Sequence, residues 1–261
     1  MISTPIRLAV AAAGAALLLA GCSDDGGDST TTTTTRTATA TQSAPAQSGA
    51  LPERPAAGAP VDCSYTPDGP AAKEVTPPQA SGVTTEGSPA VTMTTSAGPI
   101  GLTLDPAAAP CTVNSFVSLA EQGYFDDTPC HRLVTSPGLQ VLQCGDPSGT
   151  GSGGPGYGFD TEYPETAYAP NDPALARAVV YPRGTIAMAN TGQPGSNGSQ
   201  FFLVYEDSQL PPAYTIFGTI DEAGLATIEK VAAAGDDGSM GSVGGGAPNQ
   251  PVRIESVTVA S

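Results

Sequence analysis

The sequence predicts a mostly β domain in which an antiparallel barrel has its open ends covered by two α-helices. Between residues 90 and 261, short runs that alternate apolar and polar residues, or that are wholly apolar, are bounded by Gly, Pro, Ser or Asn. Such runs are typical of short strands. Two other segments, one early and one late, carry apolar residues at helical spacing. Many strands with only two helices favour a barrel that the helices cover.

Two strands joined by a turn begin the domain. Residues 91–95 alternate between apolar and polar side chains, as a half-buried strand does. Gly98-Pro99 then predicts a turn into a second alternating run at residues 100–104. The domain therefore opens with a pair of adjacent strands.

Two helices are predicted from apolar spacing. The first follows Pro110, which suits a first helical turn, and is expected to end at Gly123. Its apolar face consists of Val113, Phe116, Val117 and Ala120. The second covers residues 224–233, and its apolar face consists of Leu225, Ile228 and Val231.

Five short apolar runs between the helices are predicted strands, and one more closes the chain. The five are residues 131–134, 141–143, 185–189, 201–205 and 215–220. The last strand, residues 252–259, follows a glycine-rich loop at residues 235–246.

Several stretches of this region resemble the cyclophilin family. They are residues 130–134 (CHRLV), 141–146 (VLQCGD), 150–154 (TGSGG), 184–190 (GTIAMAN) and 197–202 (NGSQFF). The first two are similar to the family's adjacent strands that carry a catalytic arginine and a glutamine, the third to its glycine-rich loop, and the last two to its most distinctive motif. The resemblance spans residues 91–259 and implies a closed eight-stranded antiparallel barrel capped by two α-helices.

The resemblance implies a peptidyl-prolyl cis-trans isomerase (EC 5.2.1.8) that acts on proline-containing polypeptides without a cofactor or metal. Rotation about an X-Pro bond faces a barrier of about 18–20 kcal/mol because the amide nitrogen shares its lone pair with the carbonyl. The catalyst needs an apolar seat for the ring and a cation that meets this lone pair. By resemblance, Arg132 is the cation, Gln143 binds the neighbouring carbonyl, and Phe202 forms the pocket floor.

The resemblance also implies the residues around these three. Val141 and Leu210 are the walls of the proline pocket, and the backbone of Asn190 pairs with the extended peptide. The remaining substrate-binding residues are Gly151, Ala189, Thr191, Gln200 and Tyr214. Tyr214 stands where the family has a groove histidine. Because strand residues alternate between faces, Phe201 is expected in the core.

Besides Tyr214, the chain departs from the family at two places beside the pocket. Gln140, next to Leu139, replaces an aromatic residue that is frequent there, after a turn about three residues longer. Gln209 stands where many members have tryptophan, which this chain lacks entirely, so we expect cyclosporin to bind weakly. His131, the sole histidine, is expected to be structural because its strand direction is opposite to that of Arg132.

The N-terminus predicts export and lipidation. Residues 1–21 contain Arg7, an apolar run and the end Leu-Ala-Gly before Cys22, which resembles a bacterial lipobox. The resemblance implies cleavage before Cys22, diacylation of its thiol, and an anchor on the extracytoplasmic side of the cell membrane. An ordinary secretory signal is the alternative. Residues 22–88 are rich in Thr, Pro and Ala and are predicted to be a disordered tether, which leaves residues 89–261 as the folded domain.

Charge and cysteine content limit the remaining possibilities. A net charge of -16 argues against nucleic acid as a partner. Four cysteines besides Cys22 indicate two disulfides in an exported protein, with three pairings open. Cys130 and Cys144 could face one another if they lie on strands joined by the turn at residues 135–139. The spacing and the single histidine do not suit a zinc site.

The sequence leaves one alternative function open and disfavours another. A non-catalytic chaperone or adhesin on the same fold would bind extended, proline-containing chains without turnover, and Gln140 and Gln209 leave room for it. A serine hydrolase is disfavoured because the lone histidine is next to Arg132 and no Gly-x-Ser-x-Gly motif occurs.

Overall fold

The structure, a computed structural model, describes residues 49–260. The predicted signal peptide, Cys22 and the tether up to residue 48 lie outside the described residues. The described chain forms thirteen strands, two α-helices and three short 3-10 helices. The strands are β1 (Thr66–Pro67), β2 (Ala90–Thr95), β3 (Gly98–Leu104), β4 (Thr128–Pro129), β5 (Arg132–Ser136), β6 (Leu139–Cys144), β7 (Tyr157–Gly158), β8 (Val179–Tyr181), β9 (Thr185–Met188), β10 (Phe201–Glu206), β11 (Ser208–Leu210), β12 (Ile216–Ile220) and β13 (Arg253–Val259). The helices are α1 (Pro110–Glu121) and α2 (Glu222–Ala232), with 3-10 turns at Glu165–Ala167, Pro173–Ala176 and Gly241–Val243.

One antiparallel sheet contains nine of these strands, in the order β4-β13-β2-β3-β12-β9-β10-β6-β5. The predicted mostly β architecture with one early and one late helix is confirmed. The strand number is nine rather than eight, because two-residue β4 is too short to leave an alternating pattern. The two edge strands of this sheet, β4 and β5, are separated along the chain only by Cys130 and His131, but within residues 49–260 no hydrogen-bonded ladder joins them. The predicted closed barrel is therefore a curled sheet with two edges.

Each helix packs the face that its sequence predicts against the core. In α1, Val113, Phe116 and Ala120 are buried and Val117 is partly buried. In α2, Leu225, Ile228 and Val231 are all buried. Asp221 caps α2, since its carboxylate accepts a hydrogen bond from the N–H of Gly224 at 2.6 Å. Gly224 is required by close packing, because a Cβ there would lie 2.9 Å from Cγ2 of Ile100 on β3.

The buried apolar residues form two clusters. The larger one packs both helices against the sheet and includes Met93, Phe116 and Phe201. The smaller one contains Phe202 with Tyr181 and eight other buried residues. Phe201 and Phe202 therefore belong to different clusters, as strand alternation predicts. The smaller cluster lies directly beneath the candidate site.

The segment before β2 is packed against the domain. Strand β1 pairs with β7, Leu51 packs on the smaller cluster, and the hydroxyl of Tyr163 donates to the carbonyl of Pro52 at 2.8 Å. The prediction of a disordered tether over residues 22–88 therefore does not hold for residues 49–88. A few apolar anchors are enough here, since proline-rich sequence has little backbone freedom to lose on ordering. Average composition does not register such anchors.

Two disulfides join the four described cysteines. Cys130, two residues before β5, pairs with Cys144 at the end of β6, and Cys63 pairs with Cys111 in the first turn of α1. The second bridge fixes the N-terminal segment to the helix. Among residues 49–260, no helix has the length and apolar character needed to cross a bilayer.

Candidate active site

Strands β5 and β6 bring the predicted arginine and glutamine together. Arg132 and Gln143 are direct partners in the antiparallel register. Nη1 of Arg132 donates to Oε1 of Gln143 at 3.2 Å. The same guanidinium donates from Nε to the carbonyl of Gly244 at 3.1 Å and from Nη2 to the carbonyl of Val243 at 2.8 Å. Three acceptors thus hold the arginine in one orientation.

The hydrogen bonds continue from Gln143 across the groove. Nε2 of Gln143 donates to Oε1 of Gln200 at 2.9 Å, and Nε2 of Gln200 donates to the carbonyls of Gly151 and Gly153 at 3.0 Å each. The amide orientations follow from this network, because each amide nitrogen faces only acceptors. We call this series of hydrogen bonds, which runs from the carbonyls of residues 243 and 244 through Arg132, Gln143 and Gln200 to the carbonyls of residues 151 and 153, the arginine–glutamine chain.

An apolar cavity opens beside Arg132. All the residues predicted for the proline pocket line it, together with two that were not predicted. The lining consists of Arg132, Leu139, Val141, Gln143, Ala189, Asn190, Phe202, Leu210, Tyr214 and Val243. Phe202 is only 5 % exposed, and the ring of Tyr214 meets it edge-on with centroids 5.7 Å apart. The cavity therefore has a rigid aromatic floor and one cation at its rim.

Buried Tyr181 fixes the segment that carries Tyr214. The hydroxyl of Tyr181 donates toward the carbonyls of Pro211 and Tyr214, both at 3.0 Å, and accepts from the N–H of Tyr214 at 3.2 Å. Burial raises the pKa of Tyr181 above its usual value, so the hydroxyl keeps its proton. Tyr214 is thereby positioned from below.

A second cavity adjoins the first and contains the rest of the predicted groove. Gly151, Thr191 and Gln200 line it, and it shares Gln143, Ala189 and Asn190 with the apolar cavity. The side chain of Asn190 donates to the carbonyl of Ala213 at 2.8 Å. Within residues 49–260 the backbone N–H and carbonyl of Asn190 form no hydrogen bond, so both are free to pair with a peptide.

The glycine-rich loop beside this cavity is built around one carboxylate. Asp146 is fully buried and accepts hydrogen bonds from the N–H groups of Ser148, Gly151 and Gly153 at 2.7, 2.7 and 3.0 Å, and from the hydroxyl of Ser148. Burial alone raises the pKa of Asp146, but these hydrogen bonds outweigh it and leave the pKa below its usual value. Gly145 must be glycine, because its φ is +90° and a Cβ would lie 2.2 Å from the carbonyl oxygen of Ser199.

Residues 90–259 match the family model for cyclophilin type peptidyl-prolyl cis-trans isomerases. The chain belongs to the cyclophilin family. A probable peptidyl-prolyl cis-trans isomerase B of Mycobacterium leprae is 58% identical over 185 residues, which are 68% of this chain and 62% of that protein. Its namesake in Mycobacterium tuberculosis is 52% identical over 209 residues, covering 79% of this chain and 66% of that one. The chain thus spans slightly less than two thirds of the length of these relatives.

A solved cyclophilin has the same fold. The crystal structure of a Cryptosporidium parvum cyclophilin matches with a TM-score of 0.53 and 30% identity, covering 67% of this chain and 99% of the parasite chain. The parasite protein was also crystallised in the presence of the dipeptide Ala-Pro, and that structure matches with a TM-score of 0.52.

Two of the three departures from the cyclophilin pattern, Gln140 and Gln209, lie outside the apolar cavity, whereas the third, Tyr214, lines it. Gln140 donates its N–H to the hydroxyl of Ser208 at 2.9 Å, and neighbouring Leu139 lines the cavity instead. Gln209 is exposed, and its N–H bonds the carbonyl of Gly138 at 2.8 Å. Weak cyclosporin binding remains a prediction that follows from the lack of tryptophan.

His131 lies beneath the groove. It is only 8 % exposed, and a Cβ on Gly151 would lie 3.5 Å from its Cδ2. Neither ring nitrogen has a hydrogen-bond partner among the described residues. Burial lowers the pKa of His131, Asp146 opposes this shift, and Arg132 adds to it. The neutral, buried ring agrees with the structural role expected from the sequence.

Sequence reasoning missed Val243 and Gly244. They contact Arg132 from 111 and 112 residues away in the chain. They belong to a glycine-rich loop that has no apolar periodicity, so no local signal could have indicated their contact with the site.

Proposed function

We propose that the chain is a peptidyl-prolyl cis-trans isomerase that assists the folding of exported or cell-envelope proteins. One observation carries this proposal. The guanidinium of Arg132 is held by three acceptors at the rim of a cavity whose floor is the buried ring of Phe202. That arrangement supplies both an apolar seat for a proline ring and a fixed cation for its nitrogen.

In the proposed mechanism the enzyme stabilises the twisted amide and makes no covalent bond. The proline ring sits on Phe202 between Val141 and Leu210, which line the cavity. As the amide twists, its nitrogen leaves conjugation and regains a lone pair, which Arg132 meets with an N–H donor. Burial lowers the pKa of Arg132, and Tyr214 opposes this, but arginine stays protonated in proteins. Removal of one such preorganised donor typically costs about 2.7–4 kcal/mol of transition-state stabilisation.

Flanking residues hold the peptide while the bond rotates. Gln143 is positioned to bind the carbonyl beside the proline, because Arg132 and Gln200 fix both ends of its amide group. The free backbone of Asn190 pairs with the extended chain, and the groove through Ala189, Thr191 and Gly151 accommodates its continuation.

The proposed site of action is the extracytoplasmic face of the cell membrane, through a lipid anchor at Cys22. The lipobox-like sequence before Cys22 supports this assignment. Two disulfides support it as well, since such bridges persist in oxidising compartments. Labelling of cells with a fatty-acid probe is expected to mark the native protein. Cys22→Ala is expected to abolish both the label and recovery in the membrane fraction, whereas a labelled alanine variant would overturn the anchor.

The isomerase test follows cis-to-trans relaxation of a short X-Pro peptide with the purified full chain. Uncatalysed relaxation takes tens to hundreds of seconds at 25 °C, so acceleration is easily resolved. Arg132→Ala is expected to lose about a hundredfold or more in kcat/KM. Arg183→Ala is the matched control, because among residues 49–260 the guanidinium of Arg183 pairs with Glu222 and Glu229 of α2 and lines neither cavity. A folded native chain that binds the peptide without accelerating relaxation would instead favour the chaperone or adhesin function.

A further inference from the structure

A second glycine-rich loop covers the arginine. It comprises residues 235–246, and we call it the Asp237 loop. Oδ1 of Asp237 accepts hydrogen bonds from the N–H groups of Ser239 and Ala247 at 3.0 and 2.8 Å. The loop is closed further by bonds from the N–H of Met240 to the carbonyl of Gly245 and from the N–H of Val243 to the carbonyl of Met240, both at 3.1 Å.

Both ends of the Asp237 loop are fixed to β5, the strand that carries Arg132. Gly246 exchanges two backbone hydrogen bonds with Leu133, at 2.8 and 3.0 Å. At the other end the hydroxyl of Thr135 donates to Oδ2 of Asp236 at 2.9 Å. Gly245 allows this approach, because its φ is +73° and a Cβ there would lie 2.1 Å from the carbonyl oxygen of Leu133. The loop and the arginine therefore share one rigid support.

The apex of the loop places an apolar side chain at the rim of the proline cavity. Val243 lines that cavity and is 67% exposed, and within residues 49–260 it is the single large apolar side chain that is exposed. An isolated exposed valine needs no explanation by itself. Here, however, the carbonyl of the same residue accepts a hydrogen bond from the guanidinium, which fixes the backbone of Val243 at the rim of the proline cavity.

We propose that Val243 is a specificity-determining residue, and that the Asp237 loop positions Arg132 through the carbonyls of residues 243 and 244. The inference rests on the proposed isomerase function and names a client class for it. Asn190 lies in both cavities, whereas Val243 lies only in the proline cavity. A bound peptide therefore has one side of its proline near Asn190, and the residue on the opposite side of the proline lies near Val243. Clients with a large apolar residue on that flank are preferred.

The specificity test uses two peptide series, one varied before and one after the proline, each with Leu, Ser and Glu. For the native chain, the Leu peptide is expected to have a higher kcat/KM than the Ser and Glu peptides in only one of the two series. The expected gain is about fourfold for each methylene group that the leucine buries. Val243→Thr keeps the shape and is expected to remove this preference. Val180→Thr is the matched control, because Val180 is a half-exposed valine on β8 outside the cavity.

The positioning test compares a glycine of the Asp237 loop with a glycine far from it in the chain. Gly244 and Gly87 have φ values of +85° and +90°, and an added Cβ at either meets no atom within 4 Å. Gly244→Ala strains the backbone at the carbonyls that hold Arg132, so kcat is expected to fall about tenfold for every peptide with KM unchanged. Gly87→Ala introduces the same backbone strain just before β2, at a residue that lines neither cavity, and is expected to retain native kcat. Equal effects of the two variants would overturn the positioning role.

The failure of this inference is distinguishable from failure of the proposed function. If the native chain accelerates relaxation but Val243→Thr keeps the Leu preference, the isomerase stands and the specificity role falls. Dissociation constants of the same peptides are measured in parallel. An inactive native chain would overturn the proposed isomerase function. In that case, a preference for Leu in the dissociation constants that Val243→Thr removes would still support the binding role of Val243. Dissociation constants that Val243→Thr leaves unchanged would exclude that role.

Discussion

Two glycine-rich loops border the groove, and each is organised by one aspartate in a different environment. The Asp146 loop, residues 146–154, surrounds a fully buried carboxylate with five hydrogen bonds. The Asp237 loop surrounds an exposed one. Hydrogen bonds to Ser239 lower the pKa of Asp237. The same turn chemistry thus occurs with and without protection from water.

The loops hold opposite ends of the arginine–glutamine chain. Carbonyls of Gly151 and Gly153 accept from Gln200, and carbonyls of Val243 and Gly244 accept from Arg132. When a buried carboxylate loses its charge, the N–H groups that it bound are left without an acceptor, because no water reaches them. When an exposed carboxylate is lost, water can accept the same hydrogen bonds. We therefore expect the stability of the groove to depend on the Asp146 loop and its chemistry to depend on the Asp237 loop.

The largest expected effect is that of Asp146→Asn. The amide keeps the shape but removes the charge and faces N–H donors with an NH2 group, so unfolding free energy should fall by on the order of 3 kcal/mol. Urea denaturation monitored by circular dichroism measures this. Because the pKa of Asp146 is depressed, its contribution is present above the unfolded value of about 3.9 and is lost as pH falls through the folded pKa. A loss no larger than that of Asp237→Asn would contradict the comparison.

Removal of the bridge beside the Asp146 loop should have a similar but separable effect. Cys130 and Cys144 are 14 residues apart in the sequence, and a loop of about 15 residues corresponds to about 3 kcal/mol of stability. The double serine variant should also lose isomerase activity, because the bridge fixes the segment just before Arg132 to β6, the strand of Gln143. The double variant of Cys63 and Cys111 is the control. It is expected to lose stability and keep kcat/KM, and equal loss of activity in both would show that the first bridge has no special role.

A smaller effect concerns His131 beneath the Asp146 loop. Its folded pKa lies below the unfolded value of about 6.5, so the unfolded chain binds the extra proton between these values. Stability therefore declines as pH falls below about 6.5, with a slope of up to about 1.4 kcal/mol per pH unit. His131→Leu is expected to remove this decline. The measured quantity is the difference in unfolding free energy between the native chain and the variant, from pH 7.5 to pH 5. This difference removes the contribution of titrating groups that both proteins share. A difference that stays constant with pH would show that His131 does not cause the decline.

The smallest effect is expected for Asp237→Asn. Its hydrogen bonds to Ser239 and Ala247 are exposed, and water can replace them. The urea midpoint should stay within experimental error of the native chain, while kcat falls slightly because the loop holds Arg132. A shift in the midpoint comparable with that of Asp146→Asn would show that burial is not what separates the two loops.

Local sequence patterns predicted most of the sheet and helices. The alternation in β2 and β3, the apolar faces of α1 and α2 and the opposite facing of Phe201 and Phe202 all follow from periods of 2 and 3.6 residues. The resemblance to the cyclophilin family added the grouping of Arg132, Gln143 and Phe202, which the structure brings together around one cavity. These features depend on which face of a strand or helix is buried. The sequence indicates that face several times along each element, because apolar residues recur at the period of the element.

Only the tertiary structure decided the rest. The packing of residues 49–88 depends on isolated anchors such as Leu51 and on one of three possible cysteine pairings. The contact of Val243 with Arg132 joins positions 111 residues apart through a backbone carbonyl, which every residue type possesses. A backbone contact between a loop and a distant strand leaves no periodic or compositional trace, so the sequence alone determined the elements and the tertiary fold determined what surrounds the arginine.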